Sequence, residues 1–201
     1  MYGKVGLEIN MGRMSKREKI LDTAEALFST QGFAATGINQ ITRDAGVASM
    51  TLYNNFNSKD DLITAALIRR SEQLLADIQA AANQGCDAHT SILAVFDAIE
   101  HWVKTQLKSS AGFTGCLFLK AAHEHPDLSS NARRIAVRHK EAIISMFRRY
   151  LDDLGADDSS EMALSLHLLI DGAISQAQLF SDAKSVRRAR NLANILLNAI
   201  D

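Results

Sequence analysis

The sequence predicts an all-α protein of about nine helices. Alanine and leucine, which favour helices, are frequent, and only one of the 201 residues, Pro126, is a proline. Apolar residues recur three and four positions apart along most of the chain, which is the spacing of an amphipathic helix. Glycines stand at several points where this spacing is interrupted, as they do at helix ends.

The first helix is predicted over residues 16–30. Ser15 can cap it, and Glu18, three residues later, completes a capping-box pattern. Gly32 follows the last helical position and is expected to end the helix. Its apolar residues fall on one face, at Ile20, Ala24, Leu27 and Phe28.

Three more helices are expected before residue 83. A short second helix follows Thr36 or Gly37 and ends at Gly46. A third is predicted over residues 48–55, and a longer fourth over residues 58–82. These elements predict a three-helix unit over residues 15–60 and the start of a second unit that covers residues 61–201.

The second unit is also predicted to be helical. The helix over residues 161–180 is apolar around most of its circumference, which is typical of a helix covered on several sides, for example by a partner subunit. Residues 109–115 are expected to form a loop. The remaining helices are predicted at about 92–107, 116–125, 129–154 and 184–200.

The composition indicates a globular cytoplasmic protein. Hydrophobic residues make up 47% and charged residues 22% of the chain, and no apolar run approaches the roughly 18–20 residues of a membrane span. Two cysteines, Cys86 and Cys116, are too few for a disulfide framework and favour a reducing compartment. Residues 1–14 lack the apolar segment of a signal peptide and are expected to be a flexible leader, in which Met11 and Met14 are alternative starts.

The segment from Thr36 to Phe56 predicts a helix-turn-helix. Gly46 can adopt the left-handed conformation that a turn between two short helices needs. Apolar residues that would hold the helices at a fixed angle flank this turn, at Ile41, Ala45, Val47 and Leu52. Because such a unit can place its second helix in the major groove, we predict binding to double-stranded operator DNA. A three-helix unit of another function would have a similar turn and similar anchors.

The candidate DNA-contacting side chains are mostly small and polar. They lie near the start of the third helix, whose backbone amides also attract phosphate, and Lys59 opens the next helix. Residues 1–59 carry seven Lys and Arg against five Asp and Glu, a net charge of +2, so specificity must depend on a few contacts. The predicted set is Thr36, Asn39, Ser49, Met50, Thr51, Tyr53, Asn54, Asn55 and Lys59.

This region resembles the TetR/AcrR family of one-component regulators. The resemblance covers roughly residues 16–64, and its most specific part is Thr51-Leu52-Tyr53, Phe56, Ser58-Lys59 and Leu62. Further matching positions are Leu27-Phe28, Gly32-Phe33, Thr36-Gly37-Ile38, Ile41 and Ala45-Gly46-Val47.

The resemblance implies an all-helical homodimer. Its N-terminal helices would read DNA, and residues 61–201 would hold a ligand pocket and a dimer interface formed by the last two helices, 161–180 and 184–200. The tyrosine, lysine and threonine at positions 53, 59 and 36 would contact phosphates, and residues 49–51 would face the groove. The family often has glycine at the position of Met50, so the operator sequence stays open; an apolar Met50 could contact a thymine methyl.

Six residues are predicted to contact a small-molecule effector. The aromatics among them lie on the middle helices or in the loop between them, where the resemblance places the pocket; the alternative for each is an ordinary core position. The six are Trp102, Phe113, Phe118, His123, His167 and Asp171.

A helical enzyme is the main alternative from another class. His167, Asp171 and Ser175 fall four residues apart on one helical stripe. In a hydrolytic triad the imidazole lies between the hydroxyl and the carboxylate, whereas here the carboxylate occupies the middle position. We therefore predict no catalysis and no cofactor, and interpret the row as hydrogen-bonded polar groups or pocket groups.

Cys116 supports two further alternatives. It shares a helical face with His123, but two ligands fall short of the four of a structural zinc site, so no metal is predicted. A redox-sensing regulator acting through Cys116 stays open beside the interpretation of this residue as a small buried side chain. An adaptor that binds only protein also stays open. The favoured hypothesis is a repressor that a small molecule releases from its operator.

Overall fold

The computed structural model describes residues 15–200, so the leader expected for residues 1–14 and the last residue lie outside it. Within this range the chain forms nine α-helices and no strand, which confirms the predicted fold class. The helices are α1 (Lys16–Gln31), α2 (Ile38–Asp44), α3 (Ser49–Tyr53), α4 (Lys59–Ala82), α5 (Ala88–Leu107), α6 (Leu117–Glu124), α7 (Asn131–Asp153), α8 (Ser159–Phe180) and α9 (Lys184–Leu197).

Side-chain caps fix the starts of the helices around the first unit. The Ser15 hydroxyl accepts a 3.1 Å hydrogen bond from the Glu18 amide, and the Glu18 carboxylate accepts one of 2.8 Å from the Ser15 amide. The capping box expected at the start of α1 is therefore confirmed. The Ser58 hydroxyl accepts a 3.0 Å bond from the Asp61 amide and begins α4 in the same way.

Several helices differ from their predicted bounds; α5 begins at Ala88 rather than near residue 92, and α9 ends at Leu197 rather than at residue 200. The helix α3 spans five residues rather than 48–55, and the Asn55 side chain donates a 2.7 Å hydrogen bond to the Thr51 carbonyl just beyond its end. Such side-chain bonds compete with continuation of the helix. The helix α8 begins at Ser159, before the predicted residue 161, because the Asp158 carboxylate caps it by accepting from the Glu161 amide at 3.0 Å.

The apolar side chains form two cores, and α4 passes through both. The N-terminal core packs α1, α2 and α3 against the first half of α4, against α6 and against the start of α7. The C-terminal core joins the second half of α4 to α5, α7, α8 and α9, with Phe96 and Phe147 stacked at 5.9 Å. Since α6 lies beyond the boundary predicted after residue 60 yet packs in the N-terminal core, the two units share a continuous packed interface.

Over residues 15–200, no helix combines the length and apolarity that crossing a membrane would take. The same residues hold no group of three or more His, Cys, Asp and Glu side chains placed to bind a metal ion. Cys86 is exposed, Cys116 is half-buried, and both are free thiols.

Candidate nucleic-acid interface and interior cavity

The turn between α2 and α3 is built around Gly46. This residue has φ 64°, in the left-handed region, and its amide donates a 3.1 Å hydrogen bond to the Arg43 carbonyl. Ile41 on α2 and Leu52 on α3 are fully buried on either side of the turn. The predicted turn and its apolar anchors are thus confirmed, and α3 is held at a fixed angle to α2.

The outer face of α3 presents most of the predicted contact residues to solvent. Met50 is 70% exposed and Tyr53 is 51% exposed, although both are large apolar or aromatic side chains. Thr51 and Lys59 are half-buried. The remaining exposed members of the set are Asn39, Ser49, Asn54 and Asn55. These side chains, which lie on α3, just after it, at the start of α4 and on the exposed side of α2, are the candidate contact surface.

Thr36 differs from the rest of the predicted set because its side chain is fully buried. Its hydroxyl donates a 2.6 Å hydrogen bond to the carbonyl of Gly32 and so closes the loop between α1 and α2. The prediction that this side chain contacts a phosphate is therefore corrected, because its buried hydroxyl donates to a backbone carbonyl of the protein instead. The sequence gives no local sign of this, because the bond depends on how the loop folds back.

Two cations beside this surface were missed by the sequence analysis. Arg43 lies on α2, four residues after Asn39, and its guanidinium pairs with Asp44 at 3.0 Å while its side chain stays 73% exposed. Arg17, near the start of α1, places its guanidinium 5.1 Å from the centre of the Phe56 ring. Arg43 could have been predicted from the sequence, because it lies four residues after Asn39 and so shares a helical face with it.

An interior cavity of about 40 Å³ lies where α4, α5, α6, α7 and α8 meet. Three of the six predicted effector residues line it, namely Trp102, Phe113 and Phe118. The rings of Trp102 and Phe113 meet edge to face at 5.2 Å. Cys116, immediately before α6, is also part of the wall.

The other three predicted effector residues do not line the cavity. His123 is exposed and does not line the cavity, so the prediction that it contacts the effector there is wrong. Asp171 lies behind the wall and forms an ion pair with Lys140, whose side chain does line the cavity. His167 is buried, with its Nδ1 atom 3.9 Å from the Asp171 carboxylate.

The polar row on α8 has no triad geometry. Within residues 15–200 no hydrogen bond joins Ser175 to His167 or Asp171, and Ser175 is exposed. Burial lowers the pKa of His167, and the neighbouring Asp171 carboxylate opposes that effect. The ion pair of Asp171 with Lys140 explains why the carboxylate is tolerated between α7 and α8.

His139 on α7 is a buried wall residue that the sequence analysis missed. Its ring stacks on Phe118 with 3.7 Å between centroids, and its Nδ1 atom lies 2.9 Å from the Ser71 hydroxyl. Burial, followed by the nearby charges of Lys140, His167 and Arg70, lowers the pKa of His139 to about 3. The imidazole is therefore neutral at pH 7.

The helix α6 connects the cavity to the loop before α2. Phe118, near the start of α6, lines the cavity. At the other end, the Glu124 carboxylate accepts a 2.7 Å hydrogen bond from the backbone amide of Ala34, and Lys120 donates to the carbonyl of Ser29. One eight-residue helix thus contacts both the cavity and the helix-turn-helix unit.

Known proteins with similar sequences and folds are regulators of transcription. Residues 20–66 match the family described as bacterial regulatory proteins, tetR family. The uncharacterized HTH-type regulator YxaF of Bacillus subtilis is 27% identical over 81% of this chain and 84% of its own length. The HTH-type regulator YjdC of Escherichia coli is 25% identical over 90% of this chain and 93% of its own length.

The fold agrees with this assignment over nearly the whole chain. The crystal structure of SCO4454, a TetR-family transcriptional regulator from Streptomyces coelicolor, superposes with a TM-score of 0.84 at 28% identity and covers 92% of this chain and 95% of that one. The similarity therefore extends from the helix-turn-helix through the cavity-forming helices. Residues 20–66 thus carry the helix-turn-helix domain of the tetR family, and the chain, which has the fold of a TetR-family regulator, is a DNA-binding transcriptional regulator rather than an enzyme.

Proposed function

We propose that this regulator represses its target genes as an operator-bound homodimer and is released when a small molecule enters the interior cavity. The observation that carries the proposal is the position of α6, which has Phe118 in the cavity wall and Glu124 bonded to the loop before α2. A dimer on an operator blocks access of RNA polymerase, so repression is the simplest outcome. Because the proposed target is a chromosomal operator, we place the regulator in the cytoplasm.

The size of the cavity supports coupling between ligand and DNA. At about 40 Å³ it is smaller than the roughly 150 Å³ that holds a benzene-sized molecule. An organic ligand must therefore displace part of the wall, and Leu117 and Phe118 of α6 belong to that wall. A ligand that binds the displaced arrangement more tightly shifts the population away from the DNA-binding one.

The proposed dimer interface is formed by α8 and α9. Both helices leave large apolar side chains in solvent, and contiguous exposed apolar surface marks a protein–protein contact. The exposed residues are Leu164, Leu168, Leu179 and Phe180 on α8, and Leu192, Ile195 and Leu196 on α9. A twofold dimer through this face would present two copies of α3, and half-sites about one helical turn apart are the simplest operator geometry.

The proposed DNA contacts divide into two kinds. Ser49, Met50 and Thr51, at the start of α3, would meet base edges, and the 70% exposure of the apolar Met50 suits contact with a thymine methyl. Tyr53 and Lys59 would contact phosphates on either side, which sets position but not sequence. Asn39, Asn54 and Asn55 complete the proposed surface.

Operator binding is tested by titrating the protein on its own upstream intergenic DNA across a range of salt concentrations. We expect Lys59→Ala to weaken binding and to reduce the salt slope by about 1, because one phosphate is no longer neutralised. Tyr53→Ala should weaken binding to all sequences alike. Lys108→Ala is the matched control, because this exposed lysine lies just beyond α5, outside both the proposed DNA surface and the proposed dimer interface. Unchanged binding by both Tyr53→Ala and Lys59→Ala would overturn the proposed surface.

Release is tested with small molecules that bind the purified protein in a thermal-shift screen. We expect molecules that occupy the cavity to lower operator affinity and to increase expression of a reporter placed behind the operator. Cavity ligands that leave operator affinity unchanged would refute ligand release. Loss of reporter expression on deletion of the regulator would refute repression.

A further inference from the structure

Two polar groups in the cavity wall have no protein partner among residues 15–200. The indole Nε1 of Trp102 is buried and makes no hydrogen bond within residues 15–200. In the same range no carboxylate lies within ion-pairing distance of the half-buried Arg70 guanidinium. Both side chains line the cavity, Arg70 from α4 and Trp102 from α5.

The acidic groups that could have paired with Arg70 are engaged elsewhere. Asp22 and Glu25 of α1 lie with Arg70 around an adjoining cleft, but both bind Arg69, at 2.8 and 2.7 Å. The other cation of the wall, Lys140, is neutralised by Asp171. Among the described residues that line the cavity, Arg70 is therefore the cation without a counter-ion.

Arg70 and Trp102 lie next to each other. The guanidinium carbon of Arg70 is 5.8 Å from the centre of the Trp102 ring. The guanidinium has five N–H donors and the indole one, and neither group can accept a hydrogen bond. The buried Trp102 donor has no acceptor within residues 15–200, which destabilises a protein, and the half-buried guanidinium beside it has no counter-ion there. An acceptor supplied by a ligand in the cavity would satisfy both groups.

Most of the remaining wall is apolar or aromatic, and its polar members include Ser29, Gln106, Thr114 and Lys140. Phe113 contacts Trp102 edge to face, and Phe118 stacks on the ring of His139. Aliphatic side chains that line the remaining surface are Ile78, Ile99, Ile143 and Ile174. Such a surface favours a flat apolar body, and the two donors lie on one side of it.

We propose that the effector is a small aromatic carboxylate, whose carboxylate accepts hydrogen bonds from the Arg70 guanidinium and the Trp102 indole and whose ring lies among the apolar wall residues. A carboxylate matches the planar, forked donors of arginine. The inference rests on the proposed effector cavity and adds the chemical class of what binds there.

The test uses the intrinsic fluorescence of Trp102, the single tryptophan of the chain. The probes are benzoate and 2-naphthoate, with benzamide and 2-naphthamide as uncharged partners of nearly the same shape. We expect saturable changes in fluorescence with the acids and binding at least about tenfold weaker with the amides, since a charge-assisted hydrogen bond is stronger than a neutral one. Equal binding of acids and amides, or no binding of either acid, would overturn the proposal.

Variants assign the effect to Arg70. Arg70→Met keeps the aliphatic stem and removes the charge, and we expect it to lose about tenfold or more in affinity for 2-naphthoate. Arg70→Lys should recover part of that loss, which a folding defect would not. Lys108→Met, which removes an exposed lysine beyond the end of α5, should bind the acid as the wild type does. Wild-type affinity in Arg70→Met would overturn the assignment.

Operator binding, measured separately, distinguishes the two proposals. If 2-naphthoate binds in an Arg70-dependent way but leaves operator affinity unchanged, the ligand class stands and ligand release fails. If the amides release the operator and the acids do not, release stands and the ligand class fails.

Discussion

The carboxylate of Glu124, at the end of α6, accepts a 2.7 Å hydrogen bond from the backbone amide of Ala34 across 90 residues of sequence. Ala34 lies in the loop that leads into α2, and the neighbouring Gly32 carbonyl accepts the hydroxyl of Thr36. The bond thus joins a helix of the cavity wall to the loop that positions the helix-turn-helix. In the proposed mechanism, it is the contact through which displaced α6 moves α2 and α3.

Removing this acceptor should separate ligand binding from DNA binding. We expect Glu124→Ala to lose about 1–3 kcal/mol of unfolding free energy, because the Ala34 amide loses a charged acceptor. The ratio of operator affinities without and with a cavity ligand should fall towards one. Urea unfolding and fluorescence anisotropy measure the two effects. Glu124→Gln, which keeps an acceptor oxygen, is the matched control and should stay nearer to the wild type. A full wild-type ratio in Glu124→Ala would contradict this route of coupling.

Gly32 allows the close approach of Glu124. Its φ of 87° lies in the positive region that favours glycine, and a Cβ atom there would come within 2.5 Å of a Glu124 carboxylate oxygen. We expect Gly32→Ala to cost about 1–3 kcal/mol, measured by urea unfolding. Gly46→Ala, with φ 64° and no neighbour within 4 Å, gives the cost of a positive φ without a clash and should be milder, also because Gly32, with ψ 171°, lies in a region that is almost exclusive to glycine. Adding Glu124→Ala to Gly32→Ala should then cost less than the sum of the two single changes; strict additivity would argue against the clash.

The exposed apolar face of α8 and α9 gives a prediction about assembly. Leu168 on α8 is 74% exposed, so a charge there costs an isolated subunit little but would be buried in a dimer. We expect Leu168→Asp to be folded, to sediment as a monomer of about 22 kDa and to lose operator affinity. Leu128→Asp is the control, since Leu128 is also 74% exposed but lies between α6 and α7. A dimeric Leu168→Asp with normal operator binding would argue for a different interface.

Local sequence signals predicted the frame of the molecule. The capping box of Ser15 and Glu18 involves residues three apart, and the turn at Gly46 depends on the conformational freedom of one residue. The burial of Ile41 and Leu52 follows from helical periodicity. Each of these features can be read within a few residues, so each agreed with the structure.

Features that depend on distant chain segments were missed. Arg70 looks like an ordinary helical cation, and its lack of a counter-ion within residues 15–200 arises because its neighbour Arg69 binds Asp22 and Glu25. The exposure of His123 depends on which side of α6 meets the core. Thr36 is a local case: its partner Gly32 is only four residues away, but the bond forms only because of the way the loop between α1 and α2 folds. Periodicity identifies the face of a helix but not the helix that packs against it.

Neutral His139 in the cavity wall should make stability depend on pH. Its pKa is lowered from 6.5 to about 3 by burial and nearby cations, so below pH 6.5 the unfolded chain binds more protons than the folded one. Its contribution to unfolding free energy is fully present above pH 6.5 and is lost as pH falls towards 3, by at most about 1.4 kcal/mol per pH unit. We therefore expect the unfolding free energy of His139→Gln, measured in urea between about pH 7.5 and about pH 4.5, to change less with pH than that of the wild type. The control is His101→Gln, at an exposed position, which should keep the wild-type slope. An unchanged slope in His139→Gln would show that another group, such as buried His167, accounts for the dependence.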